Sequence, residues 1–252
     1  MTALITGAGS GIGFGIAKSL AEQGANIIIT DISDAAIHLA QKNLAEQGLL
    51  VQSIKLDVTN EQDFENMLEK LQGTKIDILI NNAGIQHVSR LEDFPMNAWQ
   101  KIIDVLLTGP ARTCKALLPQ MRASGFGRII NIGSIHGLVA SPFKSAYVAA
   151  KHGLIGFSKV MALETSDADI TVNTICPAYV KTPLVEKQIK DQAQQHGISE
   201  EEVINQIMLE PMPKKSFIDI EEITATVCFL ASKQAKNMTG QALVLDGGWT
   251  VK

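Results

Sequence analysis

The sequence predicts an α/β fold: a doubly wound parallel sheet of about seven strands with helices on both faces. Three observations carry this reading. Short apolar runs alternate with amphipathic stretches along the 252 residues, the pattern of repeated strand-helix units. Runs such as Ile27-Ile28-Ile29 are apolar at consecutive positions, so both faces of the strand need covering, as in a parallel sheet between two helical layers. A chain that is 46% hydrophobic and 19% charged has enough apolar surface to bury that core in one domain, residues 1–252.

Strands are expected at 3–6, 26–30, 51–56, 76–80, 128–132, 170–175 and 242–245. The helical pattern 12–23 ends at Gly24 and that of 34–47 at Gly48, each glycine suited to the left-handed residue that closes a helix. Thr59-Asn60-Glu61-Gln62 has the spacing of a capping box for the next helix. Around Tyr147 the small residues Ala146, Ala149, Ala150, Gly153 and Gly156 allow close packing of another helix, from this chain or from a neighbour. The composition shifts once, from Glu186 to Lys215, a Gln/Glu/Lys-rich stretch containing Pro211 and Pro213. The excursion at about 183–215, opened by Pro183, is either a solvated helical insertion or a mobile cover over a site, its position after a strand end favouring the cover.

A net charge of −4 with scattered lysines gives no basic field for nucleic acid. No apolar run approaches the ~20 residues of a membrane span. Met1 leads directly into an apolar strand without a charged leader, so a cytoplasmic, unexported protein is expected. Cys114, Cys176 and Cys228 lack CxxC spacing. Neither a disulfide framework nor a metal site is expected from them.

The chemistry begins at Thr6-Gly7-Ala8-Gly9-Ser10-Gly11-Ile12-Gly13, between the first strand and first helix. Glycines there let the backbone approach a pyrophosphate, and the helix N-terminus supplies N–H groups and a positive dipole end. The spacing is Thr-Gly-x-x-x-Gly-x-Gly rather than the literal GxGxxG of a Rossmann-type turn. Asp31 closes the second strand, where a carboxylate takes the hydroxyls of an adenosine ribose and repels a 2′-phosphate. NAD is therefore expected over NADP. Capping the helix near Ser33 is the other role open to Asp31. Asp57 and Val58, after the third strand, are assigned to the adenine edge, with a simple turn carboxylate the alternative for Asp57. Tyr147 and Lys151 are four residues apart on one helix, thirteen residues after Ser134. That spacing stacks phenol and ammonium on one face. A nearby cation favours the phenolate, which makes the pair an acid/base group for a hydroxyl proton. With the glycine turn, this points to hydride transfer on a nicotinamide cofactor.

These residues, with Asn81-Asn82-Ala83-Gly84 and Pro177-Ala178-Tyr179-Val180-Lys181-Thr182, resemble the short-chain dehydrogenase/reductase family over essentially the whole chain. The resemblance implies that Tyr147 is the catalytic acid/base, that Lys151 lowers its pKa and binds the nicotinamide ribose, and that Ser134 hydrogen-bonds the substrate oxygen. It places Asn82, Ala83 and Gly84 along the cofactor cleft, and Pro177, Val180 and Thr182 at the nicotinamide end. It also implies a homotetramer. Two positions depart from the family pattern: Ala178 replaces the usual glycine, and Leu106, in Asp104-Val105-Leu106-Leu107-Thr108-Gly109, stands where an asparagine holds a relay water. Asp104 is not an obvious substitute, so activity is expected to survive with an altered proton exchange.

Gln86, His136, Lys144 and Gln188 lie close in sequence to the catalytic residues or to the excursion. Singly each has an ordinary role: a solvated Lys144 or Gln188, a His136 that satisfies a loop carbonyl. Together they offer a cation and neutral donors for a small carboxylate. Their surroundings resemble the bacterial branch of the family that handles short hydroxy acids, which implies interconversion of (R)-3-hydroxybutyrate and acetoacetate with NAD. In that resemblance the four bind the carboxylate. Trp249, after Asp246-Gly247-Gly248, closes the pocket or is simply buried at a core or interface. Another family reductase, acting on a sugar alcohol or a 3-oxoacyl carrier substrate, is one rival; a non-catalytic NAD sensor is a more distant one.

Overall fold

A computed structural model describes residues 1–251; of residues 184, 187, 191, 195 and 196 only the backbone is described. Seven strands form one sheet: β1 (Thr2–Ile5), β2 (Asn26–Asp31), β3 (Gln52–Lys55), β4 (Ile78–Asn81), β5 (Phe126–Ile132), β6 (Asp169–Pro177) and β7 (Ala242–Leu245). Their order is β3-β2-β1-β4-β5-β6-β7 and every pairing is parallel. The sequence-based strands agree with these to within two residues at each end. The chain fills one half of the sheet outward from β1, then returns through β4 to fill the other. A crevice therefore opens where β1 and β4 diverge at their carboxyl ends.

The helices are α1 (Gly11–Glu22), α2 (Asp34–Ala45), α3 (Glu61–Lys70), α4 (Met96–Ile103), α5 (Gly109–Ser124), α6 (Ser145–Glu164), α7 (Pro183–His196), α8 (Glu200–Glu202) and α9 (Ile220–Ala231). Alternate strand residues feed two cores. Ala3, Ile5, Ile27, Ile29 and Ile130 pack under α1, α2 and α9. Leu4, Ile28, Leu79 and Ile129 pack under α3 to α6. Gly24 and Gly48 close their helices with φ of +82° and +75°. In each case the glycine N–H and the next N–H bond back to the last turn, the arrangement in which a side chain would be strained.

The third helix begins one residue later than the Thr59/Gln62 spacing predicts. Asn60 is its cap, accepting the Asp63 N–H at 3.2 Å. The Thr59 hydroxyl donates instead to Asp57 at 2.7 Å, and Gln62 turns to Glu65. Asparagine caps at least as well as threonine, and a nearby carboxylate outcompetes a helix N–H for the hydroxyl.

α6 is tied to the sheet by buried polar side chains. Asn131 on β5 donates to Ser158 at 2.8 Å, Thr174 on β6 donates to the same oxygen at 2.8 Å, and Asn81 on β4 donates to Asn131 at 2.8 Å. The small-residue stripe divides: Ala146 and Ala150 are buried within the chain and Gly153 lies against Leu107, whereas Gly156 is open. The 183–215 excursion is packed, and Pro183, Val185 and Gln188 from it line the cleft. Val185, Ile189, Val203 and Met208 form its own small apolar core with Tyr179 and Phe217 beside them. It has no strand, and its base is fastened by a bridge from Val180 to Ile218. No described helix is long and apolar enough to cross a membrane.

Candidate active site

The cleft runs over the carboxyl ends of β1, β4, β5 and β6. Its phosphate end is backbone. Ser10 caps α1 without a side-chain hydrogen bond, so the first-turn N–H groups have no capping side chain. The loop before it is held from below: the Asn82 amide donates to the carbonyls of Thr6 (3.0 Å) and Gly7 (2.9 Å), and the Thr6 hydroxyl accepts the N–H groups of Asn82 and Ala83. A Cβ on Gly7 would lie 2.7 Å from Ala83 Cα, and one on Gly13 would collide with the Asn82 amide and the Gly7 carbonyl. Gly7, Ser10, Gly11, Ile12, Asn82 and Gly84 line the cleft. Thr6, Gly9, Gly13 and Ala83 are the supports behind them.

Asp31 also lines the cleft. Its carboxylate accepts the N–H groups of Gly9 (3.1 Å) and Ser33 (3.0 Å), and each oxygen retains a lone pair. Capping of α2 falls to Ser33, which accepts the Ala36 N–H; the alternative role for Asp31 is thus already filled. Asp57 and Val58 do not reach the cleft lining. Asp57 accepts the N–H and hydroxyl of Thr59, a turn carboxylate, and Val58 is buried against Gly109. Their sequence position after a strand end is right, but the turn takes up the Asp57 carboxylate and the core takes up the Val58 side chain.

The three residues assigned to catalysis, Ser134, Tyr147 and Lys151, lie together in the cleft. Ser134 follows β5 and caps the short turn Ile135–Gly137, its oxygen accepting the His136 N–H at 3.2 Å. A Cβ on Gly137 would lie 2.7 Å from Ile155 Cδ1 and 2.9 Å from the Lys151 carbonyl, so this turn lies directly on α6. Tyr147 and Lys151 share one face of α6, with the Lys151 ammonium 5.6 Å from the Tyr147 ring centroid. Lys151 is buried and donates to the Ile132 carbonyl at 2.7 Å.

The electrostatics differ from the sequence-based expectation. Burial pushes the Tyr147 phenol up to about 12, opposed by its hydrogen bond to Ser134 and reinforced by Tyr179 and Cys176. Burial also lowers Lys151 to about 8. The Lys151 ammonium turns toward a backbone carbonyl, and the shift of the phenol is set first by its desolvation. In this geometry Tyr147 is a protonated acid beside a charged Lys151 at neutral pH.

All five residues assigned to substrate line the same cleft. Lys144 is buried, pairs with none of the described carboxylates, and donates to the Tyr179 hydroxyl at 3.1 Å. Gln188 on α7 donates to Gln86 Oε1 at 3.2 Å, leaving the buried Gln86 Nε2 without a partner. The His136 ring stands edge-on to Tyr147 (6.3 Å) and Trp249 (5.7 Å), its Nδ1 also unpaired. Burial first, then the Lys144 charge, lowers its pKa to about 4 against a weaker opposing effect of the Val139 backbone. Trp249 faces the cleft, its backbone held by the Asp246 turn. Pro177, Val180 and Thr182 also line the cleft, Thr182 beside Gly11, and Leu106 is buried in the cleft wall within a π-helical turn, Asp104–Thr108. Tyr179 was missed in the sequence. It lies inside the motif 177–182, but only its contact with Lys144, 35 residues away, marks it out.

Comparison with known proteins agrees with this geometry. A family model described as enoyl-(acyl carrier protein) reductase matches residues 7–250. The chain is 46% identical to a D-beta-hydroxybutyrate dehydrogenase of Rhizobium meliloti, covering 100% of this chain and 99% of the relative. It is 47% identical to one of Cupriavidus necator, covering 100% and 98%. A crystal structure of an actinorhodin polyketide ketoreductase with NADPH superposes with a TM-score of 0.94 at 30% identity, covering 98% of this chain and 96% of that one. With the sheet order, the glycine turn and the Ser134/Tyr147/Lys151 arrangement, these similarities establish that the chain is an oxidoreductase of the short-chain dehydrogenase/reductase family and uses a nicotinamide cofactor.

Proposed function

We propose that the protein oxidises (R)-3-hydroxybutyrate to acetoacetate with NAD, and catalyses the reverse reduction. The observation that carries this reading is a pair of buried groups in the cleft: Lys144, which donates to the Tyr179 hydroxyl but meets no described carboxylate, and the unpaired Gln86 Nε2. A buried cation without a counter-charge and a buried donor without a partner are both costly. A small carboxylate placed there would satisfy them. The two relatives named D-beta-hydroxybutyrate dehydrogenase support the same acid and the same hand.

The residues present fit the cofactor. Gly7 and Gly13 have no room for a side chain, the α1 N-terminus lacks a capping side chain, and Asp31 keeps acceptor capacity for ribose hydroxyls. A carboxylate at that position favours NAD over a 2′-phosphorylated cofactor. When bound, the nicotinamide supplies the acceptor or donor of hydride. Ser134 donates a hydrogen bond to the substrate oxygen while the Tyr147 hydroxyl passes a proton to it in reduction, or takes one in oxidation after losing its own. Lys151, fixed by the Ile132 carbonyl, holds positive charge beneath Tyr147 and is assigned to the nicotinamide ribose. Lys144, Gln86, His136 and Gln188 fix the acid so that its reacting carbon lies at Tyr147, and α7 with Trp249 excludes water.

The test is an NADH absorbance assay with (R)- and (S)-3-hydroxybutyrate, a sugar alcohol and a 3-hydroxyacyl thioester, each with NAD and NADP. Turnover dominated by the R acid with NAD is expected. Preference for the alcohol, the thioester or NADP would overturn the proposal.

A further inference from the structure

We infer that the Tyr179 hydroxyl aims the Lys144 ammonium into the cleft and thereby sets how tightly the acid is held. This inference rests on the proposed acid and deepens it. Lys144 Nζ lies 3.1 Å from Tyr179 Oη and 5.2 Å from the ring centroid. A lysine ammonium only donates, so the phenol oxygen is the acceptor and its own hydrogen remains available to a third group. That leaves the pair facing the same wall of the cleft, which both residues line.

The two partners differ in how firmly they are held. The Tyr179 ring is stacked on Trp249 at 6.0 Å with a 31° tilt, packs against the apolar core of the cover, and its backbone carbonyl accepts the Ile218 N–H at 2.9 Å. Lys144 has a flexible four-carbon stem with several rotamers to lose. Tying its end to a fixed oxygen means that less rotamer freedom is lost when a carboxylate arrives. Tyr179 is thus a positioning residue that acts through Lys144, and it couples the seating of the α7 cover to the anion end of the site.

Tyr179→Phe keeps the ring and its stacking and removes one oxygen. We expect kcat/KM for (R)-3-hydroxybutyrate to fall about tenfold through KM, the size of one hydrogen bond to a charged group, with kcat, the KM for NAD and the thermal midpoint unchanged. In a Lys144→Met background the same substitution should have no further effect. An unaltered KM in Tyr179→Phe, an equal loss in the Lys144→Met background, or a parallel change in the KM for NAD overturns the inference and leaves the acid assignment standing. The unmodified protein is also assayed on the methyl ester of the acid. Strong preference for the acid supports the site; equal use of ester and acid overturns the acid assignment itself and this inference with it.

Discussion

The phosphate end of the cleft comes from one stretch of chain, residues 6–31, plus the Asn82 amide, and its contacts are main-chain groups and close backbone approaches. The acid end draws side chains from six separate places: Gln86, His136, Lys144, Tyr179, Gln188 and Trp249. At the first end the supporting groups are paired with one another. At the second, Gln86 Nε2 and His136 Nδ1 are buried and unpaired. The contrast teaches that a ligand common to many enzymes is met by backbone geometry, which glycine spacing encodes locally. On the proposed reading a particular substrate is met by side chains whose convergence depends on the whole sheet, and two of whose buried nitrogens, Gln86 Nε2 and His136 Nδ1, have no protein partner.

Tyr147 stands between the two ends, and its removal gives the largest expected effect. Tyr147→Phe should lower turnover by about 10²–10⁴, the usual worth of a positioned acid/base, while NAD binding measured calorimetrically is retained. Loss of NAD binding in that variant would show that the two ends are not separable. The next test is reciprocal. Lys144→Ala should raise the KM for the acid by about 10–100-fold, as for a charged hydrogen-bond partner, and leave that for NAD alone. Asp31→Ala should weaken NAD and narrow its advantage over NADP, leaving the KM for the acid unchanged. Cross effects in steady-state kinetics would break the comparison.

The smallest effect concerns pH. His136 titrates at about 4 when folded, below its ordinary 6.5. Between those values the unfolded chain binds a proton that folded His136 refuses, so this group's contribution to stability falls as pH drops from 6.5 to 4 and changes no further below it. The loss at pH 5 should be about 1–2 kcal/mol by linkage. Urea midpoints at pH 7 and pH 5 would measure it, and His136→Gln should flatten the difference. An unchanged pH dependence in that variant would place the acid sensitivity elsewhere.

Much of the molecule is legible from sequence because its signals are local. Ile27-Ile28-Ile29 needs two covered faces, and the structure provides them; Gly24 and Gly48 close helices where a positive φ is needed. The same local reading misplaced the Thr59/Gln62 cap and sent Asp57 and Val58 to the cleft. Asp57 and the Thr59 hydroxyl bond each other within their turn, and Val58 packs against Gly109. It also expected Lys151 to lower Tyr147, where the folded environment raises it.

From the order of residues alone came the doubly wound sheet, the phosphate-binding turn and the pairing of Tyr147 with Lys151 on one helical face. Periodicity, glycine placement and an i,i+4 spacing are properties of short segments. Only the tertiary structure decided how deeply Tyr147 and Lys151 are desolvated, whether the 183–215 segment has a core of its own, and that Tyr179 meets Lys144. Burial and contact between distant residues depend on every element packed around them, and no stretch of sequence carries that information by itself.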